Sequence, residues 1–151
     1  MAKSISLSAY VKRRNGVALG AKGSMSQMFK NSFGAASFQQ FWHYWNPIWG
    51  FYLARNVMSP LQKIVPAWCA IILTFAVSGA LHDLAISIIK WRFSSFFTLW
   101  FFCMSLAVLI TKKFNIHFHS QPWLVRSAAN MTLIMMCLWL ATTIERFILN
   151  L

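Results

Sequence analysis

The chain has 151 residues, of which 58% are hydrophobic and only 11% are charged. An ordinary soluble domain carries about 25% charged residues, and so small a domain needs them to cover its surface. A lipid bilayer removes that need because it solvates apolar faces. The composition therefore excludes an ordinary soluble domain and favours an integral membrane protein.

The charge balance is strongly basic, with 14 Lys and Arg against 2 Asp and Glu, giving a net charge of +12 at pH 7. Such an excess is typical of nucleic-acid-binding proteins. It is also typical of cytoplasmic loops that face anionic lipid headgroups. The long apolar runs favour the second interpretation, so we expect membrane lipid, and no nucleic acid, as a partner.

Residues 1–37 form a basic segment that is rich in Ser and contains Gly16, Gly20, Gly23 and Gly34. It lacks the continuous apolar stretch of a secretory signal. Its composition resembles a mitochondrial transit peptide, but its weak apolar periodicity favours a cytoplasmic tail that is solvated or associated with headgroups. We expect this segment to be flexible or peripheral, because glycines are scattered through it.

Residues 38–62 are rich in aromatic side chains that recur at steps of three and four, as on one face of a helix. These are Phe38, Phe41, Trp45, Trp49 and Tyr52. Pro47 removes a backbone donor and disfavours helical geometry in the residue before it, which predicts two short helices or one kinked helix. We expect amphipathic helices at the membrane interface. Within them, we expect Phe41, Trp42, Trp45 and Trp49 to form an interfacial belt rather than a cofactor site.

Three apolar runs follow, at about residues 64–89, 93–111 and 128–149. Each is near or above the roughly 20 residues that span hydrocarbon. The sequence therefore predicts an all-α integral membrane protein, with about three transmembrane helices preceded by interfacial amphipathic helices in a membrane region over 38–151. The three cysteines lie within the apolar runs and are expected to be buried free thiols.

Basic residues are distributed unequally between the two sides of the predicted membrane. They are concentrated before the first span and between the second and third spans, which lie on the same side. The other side holds only Lys90, Arg92 and Arg146. The positive-inside rule places the N-terminus in the cytoplasm and the C-terminus outside.

His82 and Asp83 are ionisable residues inside the first predicted span. A charged Asp at the centre of a membrane helix costs about 2.5–3.5 kcal/mol on insertion scales, so such residues are functional candidates. Neutral His82 suits a general base, and Ser78 lies one turn before it on the same face. The alternative is structural, with His82 bonding a neighbouring helix and Asp83 satisfied near the membrane boundary.

The same span contains Ser78, Gly79 and Ala80, small residues that allow another helix to approach closely. His117 and His119 lie in a loop with one residue between them, a weak indication of a pair of metal ligands. No carboxylate or cysteine lies near them in the sequence, so we expect no metal site.

Three motifs occur in order along the chain: Phe-Trp-His-Tyr-Trp-Asn at 41–46, Arg-Asn-Val-Met-Ser-Pro-Leu at 55–61, and Ser-Gly-Ala-Leu-His-Asp at 78–83. This order and spacing resembles the membrane-bound O-acyltransferase family, and its wax-synthase-like branch in particular. The resemblance covers roughly residues 38–92 and corresponds to the C-terminal part of a family member.

The resemblance implies that His82 is the general base that acts on an acceptor hydroxyl and that Asn46 is its polar partner. It also implies that Trp45, His43 and Ser78 contact substrate. The donor would be acyl-CoA, the product an ester, and no cofactor would be needed.

Two hypotheses follow from these residues. The first is an acyl-CoA-dependent O-acyltransferase that acts as a homo-oligomer or with a partner membrane subunit, because family members have more spanning helices. The second is a non-catalytic membrane scaffold or subunit that retains the packing motifs of the family.

Overall fold

The structure is a computed structural model that describes residues 5–149. Within this range all regular elements are helical. The α-helices are α1 (Leu7–Asn15), α2 (Ser24–Phe33), α3 (Phe38–Tyr44), α4 (Pro47–Leu53), α5 (Ser59–Leu61), α6 (Ala67–Lys90), α7 (Phe96–Lys113) and α8 (Trp123–Leu149). A π-helical turn, Ala54–Met58, joins α4 to α5.

The helices α6, α7 and α8 are long and apolar enough to cross a membrane, with mean hydropathies of 1.8, 1.5 and 1.5. The predicted all-α class and the three predicted spans are confirmed. α8 begins before the predicted boundary at residue 128, directly after Pro122. Proline favours the start of a helix because its missing N–H has no partner there in any case. The cysteines Cys69, Cys103 and Cys137 are free thiols, the last two buried.

The N-terminal segment, expected to be flexible or peripheral, forms two helices from residue 7 to residue 33. Its glycines lie at helix boundaries: Gly16 (φ 82°) follows α1 and Gly23 (φ 84°) precedes α2. Both adopt the left-handed conformation that glycine reaches without steric cost. The Asn15 side chain then joins the two helices by donating to the Ser24 hydroxyl at 2.9 Å. These glycines therefore terminate helices.

The helix α8 is hydrogen-bonded to the N-terminal helices. The Trp123 indole donates to the Lys30 carbonyl at 3.0 Å, and the buried Asn130 amide donates to the Ala35 carbonyl at 3.0 Å. Asn130 is thus a polar residue in a predicted span that satisfies the backbone between α2 and α3. These bonds fix the N-terminal helices against the spanning region.

The aromatic face of α3 forms part of the buried core. Phe38 and Phe41 are 0% and 1% exposed, and they cluster with Ala35 and Val108. The predicted interfacial belt is therefore wrong for Phe41. The physical reason is that α2, α7 and α8 pack around α3 and cover rings that an isolated helix would present to headgroups.

α3 and α4 are joined by a turn at Trp45 and Asn46. The two helices and this turn, residues 38–53, are called the hairpin. Asn46 adopts φ 40° and its side-chain oxygen accepts from the Trp49 backbone N–H at 3.2 Å, which caps α4. Pro47 occupies the first position of α4, where its fixed φ fits the helix. The two short helices predicted from Pro47 are confirmed.

This hairpin lies alongside the middle of α6. The Trp49 indole donates to the Ser78 hydroxyl at 3.0 Å. One turn earlier on α6, the Thr74 hydroxyl lies 3.4 Å from the Met58 sulfur. Ser78 is about 16 Å along the helix axis from the first residue of α6. Trp49 therefore contacts α6 about half-way along its length, and Met58 contacts it about one turn earlier.

The helices α6 and α7 meet through Gly79 and Asp83. A Cβ at Gly79 would lie 2.6 Å from the Phe97 carbonyl oxygen, so only glycine permits this approach. The buried Asp83 carboxylate accepts from the Ser94 hydroxyl and the Phe97 N–H at 3.0 and 2.9 Å. It also accepts from the N–H and the hydroxyl of Thr98, both at 2.7 Å. Asp83 therefore caps the N-terminus of α7, where a negative charge is favourable.

A chain with three crossings has its two termini on opposite sides of the membrane. We expect a reporter that is active only in the cytoplasm to give signal when fused to the N-terminus and none when fused to the C-terminus, because basic residues favour the cytoplasmic side. Matched expression of the two fusions is the control. Signal from both ends, or from the C-terminus alone, would contradict this topology.

Candidate functional site

A cavity of about 240 Å³ lies between the hairpin, α1, α6 and α7. Its walls are mostly aromatic and aliphatic, with a few polar groups among them. The cavity brings together all five residues predicted for the site, which are His43, Trp45, Asn46, Ser78 and His82. The hairpin supplies the first three and α6 supplies the last two.

The His82 ring is held by one hydrogen bond and by aromatic neighbours. Its Nδ1 lies 2.7 Å from the Ser78 backbone carbonyl. A carbonyl oxygen only accepts, so Nδ1 carries the proton and Nε2 of the neutral ring retains a free lone pair. The ring also contacts Phe97 and Phe101, with centroids 5.8 and 5.1 Å away. This tautomer is the one that a general base acting through Nε2 requires.

Ser78 positions other groups of the cavity. Its side chain is 2% exposed and its hydroxyl oxygen accepts from the Trp49 indole. Its backbone carbonyl holds His82. Contact between Ser78 and substrate stays a prediction, whereas its contacts with Trp49 and His82 are direct.

Asn46 presents one half of its amide to the cavity. Its side-chain oxygen is occupied as the cap of α4. Its amide nitrogen makes no hydrogen bond within residues 5–149. A cap that uses the oxygen therefore leaves two N–H donors for a ligand.

His43 is the second histidine of the cavity. Burial of the ring and the positive Arg14 guanidinium lower the pKa of His43 below its ordinary value of 6.5, because both disfavour the charged ring. His43 is therefore neutral near pH 7.

Trp45 stacks on Phe41, with ring centroids 5.5 Å apart, which fixes the turn of the hairpin beside the cavity.

Several cavity residues were not predicted from the sequence. Tyr10 and Arg14 reach the cavity from α1, with the Arg14 guanidinium 5.1 Å from the centre of the Tyr10 ring. Nothing in the sequence links α1 to the hairpin, because the contact depends on how the two segments pack. Trp49 did carry a signal, since it belongs to the aromatic face of residues 38–62.

The other histidine pair lies apart from this cavity. The rings of His117 and His119 have centroids 5.1 Å apart. Across residues 5–149, no group of three or more His, Cys, Asp or Glu side chains has the arrangement of a metal site.

The chain was also compared with known proteins. No protein-family model matches it. No curated protein and no solved structure matches it either. The function is therefore proposed from the cavity and from the motif residues that line it.

Proposed function

We propose that the chain is a membrane O-acyltransferase that moves an acyl group from acyl-CoA to a hydroxyl, with His82 as the general base. The observation that carries this proposal is the 2.7 Å contact between His82 Nδ1 and the Ser78 carbonyl, which leaves Nε2 without this partner. His82 and Asn46 line the same cavity. The likeness of residues 41–46, 55–61 and 78–83 to membrane-bound O-acyltransferases supports the same chemistry.

In the proposed reaction, His82 Nε2 takes the proton of the acceptor hydroxyl as its oxygen attacks the thioester carbonyl carbon. The new C–O bond forms, the C–S bond breaks, and the departing CoA thiolate takes the proton back from the imidazolium. The Asn46 amide nitrogen supplies a donor for the negative charge that develops on the carbonyl oxygen. Water is a competing nucleophile, so the reaction also requires that water be kept away from the thioester.

We propose that the active site is completed by a second copy of the chain or by a partner membrane subunit. His82 is exposed in the single chain although it lines the cavity. The cavity of about 240 Å³ is smaller than the roughly 300–1,000 Å³ of typical ligand sites. Additional helices against the open side would enclose the acyl chain and cover His82.

The proposed orientation places the N-terminus in the cytoplasm, where acyl-CoA is available. Within residues 5–149, ten Lys and Arg lie before α6 or at the facing ends of α7 and α8. The opposite side carries three. The ten are Lys12, Arg13, Arg14, Lys22, Lys30, Arg55, Lys63, Lys112, Lys113 and Arg126. The three are Lys90, Arg92 and Arg146. This asymmetry supports a cytoplasmic N-terminus.

The test is transfer of a labelled acyl group from acyl-CoA to material that extracts with membrane lipid. We expect membranes that contain the chain, alone or with a co-expressed partner subunit, to form a labelled ester that membranes lacking the chain do not form. The product should resist mild thiolysis, since an oxygen ester is less reactive than a thioester. Absence of transfer in both preparations, with a partner subunit still co-purifying, would support the non-catalytic scaffold instead.

A further inference from the structure

A second cavity, of about 620 Å³, lies between the ends of α1 and α2 and the start of α8. Four cationic side chains from three different helices line it: Arg13, Arg14, Lys30 and Arg126. Its lining residues include no Asp or Glu. The positive charge in this cavity is therefore not neutralised by the side chains around it.

The dipoles of the surrounding helices offset only part of this positive charge. The C-terminal ends of α1 and α2 each carry about half a negative charge, so together they offset about one of the four cations. Arg126 lies in the first turn of α8, where the dipole disfavours a cation. Its Nε is buried and has no hydrogen-bond partner within residues 5–149. These features leave positive charge that a bound anion would neutralise.

Neutral donors accompany the cations. The side chains of Gln40 and Tyr44 line the same cavity. Three guanidinium groups present planar arrays of N–H donors that match the oxygens of a phosphate in pairs. A ligand with several anionic oxygens satisfies this set better than a single carboxylate does.

The cavity lies at the end of the candidate spans where α8 begins. α7 has ended at Lys113 and α8 starts at Trp123, and the Phe118 N–H between them donates to the Ala36 carbonyl at 2.7 Å. Both Trp123 and His119 line the cavity beside the cations. A phosphate on a lipid headgroup or on a soluble molecule can therefore reach it.

We propose that this cavity is a binding site for a phosphate group, carried by an anionic lipid headgroup or by a soluble phosphate compound. Arg14 lines both this cavity and the one that contains His82. An occupant would hold Arg14 in place beside His43. Phosphate binding here requires no acyl transfer at His82, so failure of one proposal leaves the other standing.

The experiment uses the full chain in phosphatidylcholine nanodiscs, titrated with inorganic phosphate against chloride at equal ionic strength. Trp123 lines the cavity, so its fluorescence should report binding. We expect a saturable change that is at least about ten-fold weaker in Arg126→Gln and in Arg13→Gln, because each loses a charge-assisted hydrogen bond. Arg13 is exposed, so its variant should fold normally. Arg55→Gln, exposed and outside the cavity, is the matched control and should bind like wild type.

A second arm identifies the source of the phosphate. Nanodiscs that include phosphatidic acid should abolish the response to inorganic phosphate if a lipid headgroup fills the site. A response that persists in these discs would assign the site to a soluble phosphate compound. Absence of a saturable response in both arms, or equal weakening in Arg126→Gln and Arg55→Gln, would overturn the proposal.

Discussion

Replacing His82 with alanine is expected to lower kcat for acyl transfer by about 100- to 10,000-fold, the usual contribution of general acid–base catalysis. The variant loses the Nε2 lone pair that the bond from Nδ1 to the Ser78 carbonyl leaves free. Insertion into the membrane should not suffer, because the change removes a polar group from a span. The measurement is labelled-ester formation at matched protein levels.

Two further variants separate catalysis from structure. His82→Asn retains an N–H donor for the Ser78 carbonyl but has no basic nitrogen, so it should be as inactive as His82→Ala. His117→Ala, in the exposed loop before α8, is the matched control and should keep wild-type turnover. A His82→Ala variant that transfers the acyl group at the wild-type rate would refute the assignment of the base.

Replacing Asp83 with alanine is expected to destabilise the pairing of α6 and α7 severely. The carboxylate accepts four hydrogen bonds from Ser94, Phe97 and Thr98. Hydrogen bonds to charged groups are worth about 1.5–3 kcal/mol each, and buried donors left without partners add a desolvation cost. We expect most of the variant to aggregate on extraction in mild detergent. The measurement is the monodisperse fraction in fluorescence-detected size exclusion, before and after heating.

Variants that remove different numbers of hydrogen bonds test whether these bonds stabilise the pairing of α6 and α7. Asp83→Asn keeps one acceptor oxygen, so its stability should lie between that of wild type and that of Asp83→Ala. Glu145→Ala is the matched control, because Glu145 is the other acidic residue and its side chain makes no hydrogen bond within residues 5–149. Wild-type extraction behaviour of Asp83→Ala would show that the cap of α7 contributes little.

The two neighbouring ionisable residues of α6 thus have different environments. His82 faces a cavity with one nitrogen free, whereas Asp83 is 4% exposed and fully occupied by the start of α7. The sequence places them on different faces of α6, because adjacent positions on a helix do not share a face. It left open whether Asp83 was structural, since its partners come from a different helix.

The candidate residues could be selected from the sequence because each motif is a local pattern. The motifs at 41–46 and 78–83 contain all five predicted residues, and the fold brings them to one cavity. Their mutual contacts could not be predicted, because the hairpin can pack on α6 in more than one register. The hydrogen bond from Trp49 to Ser78 is one result of the register that the fold adopts.

The sequence by itself determined the helical class, the three spans and the break at Pro47. Each depends on local properties: the length of an apolar run, the lack of charge within it and the geometry of one proline ring. Only the tertiary structure decided that Phe38 and Phe41 are buried, that α1 brings Arg14 to two cavities and that Asp83 caps α7. These features arise from contacts between segments distant in the chain, and such contacts depend on the packing of whole helices.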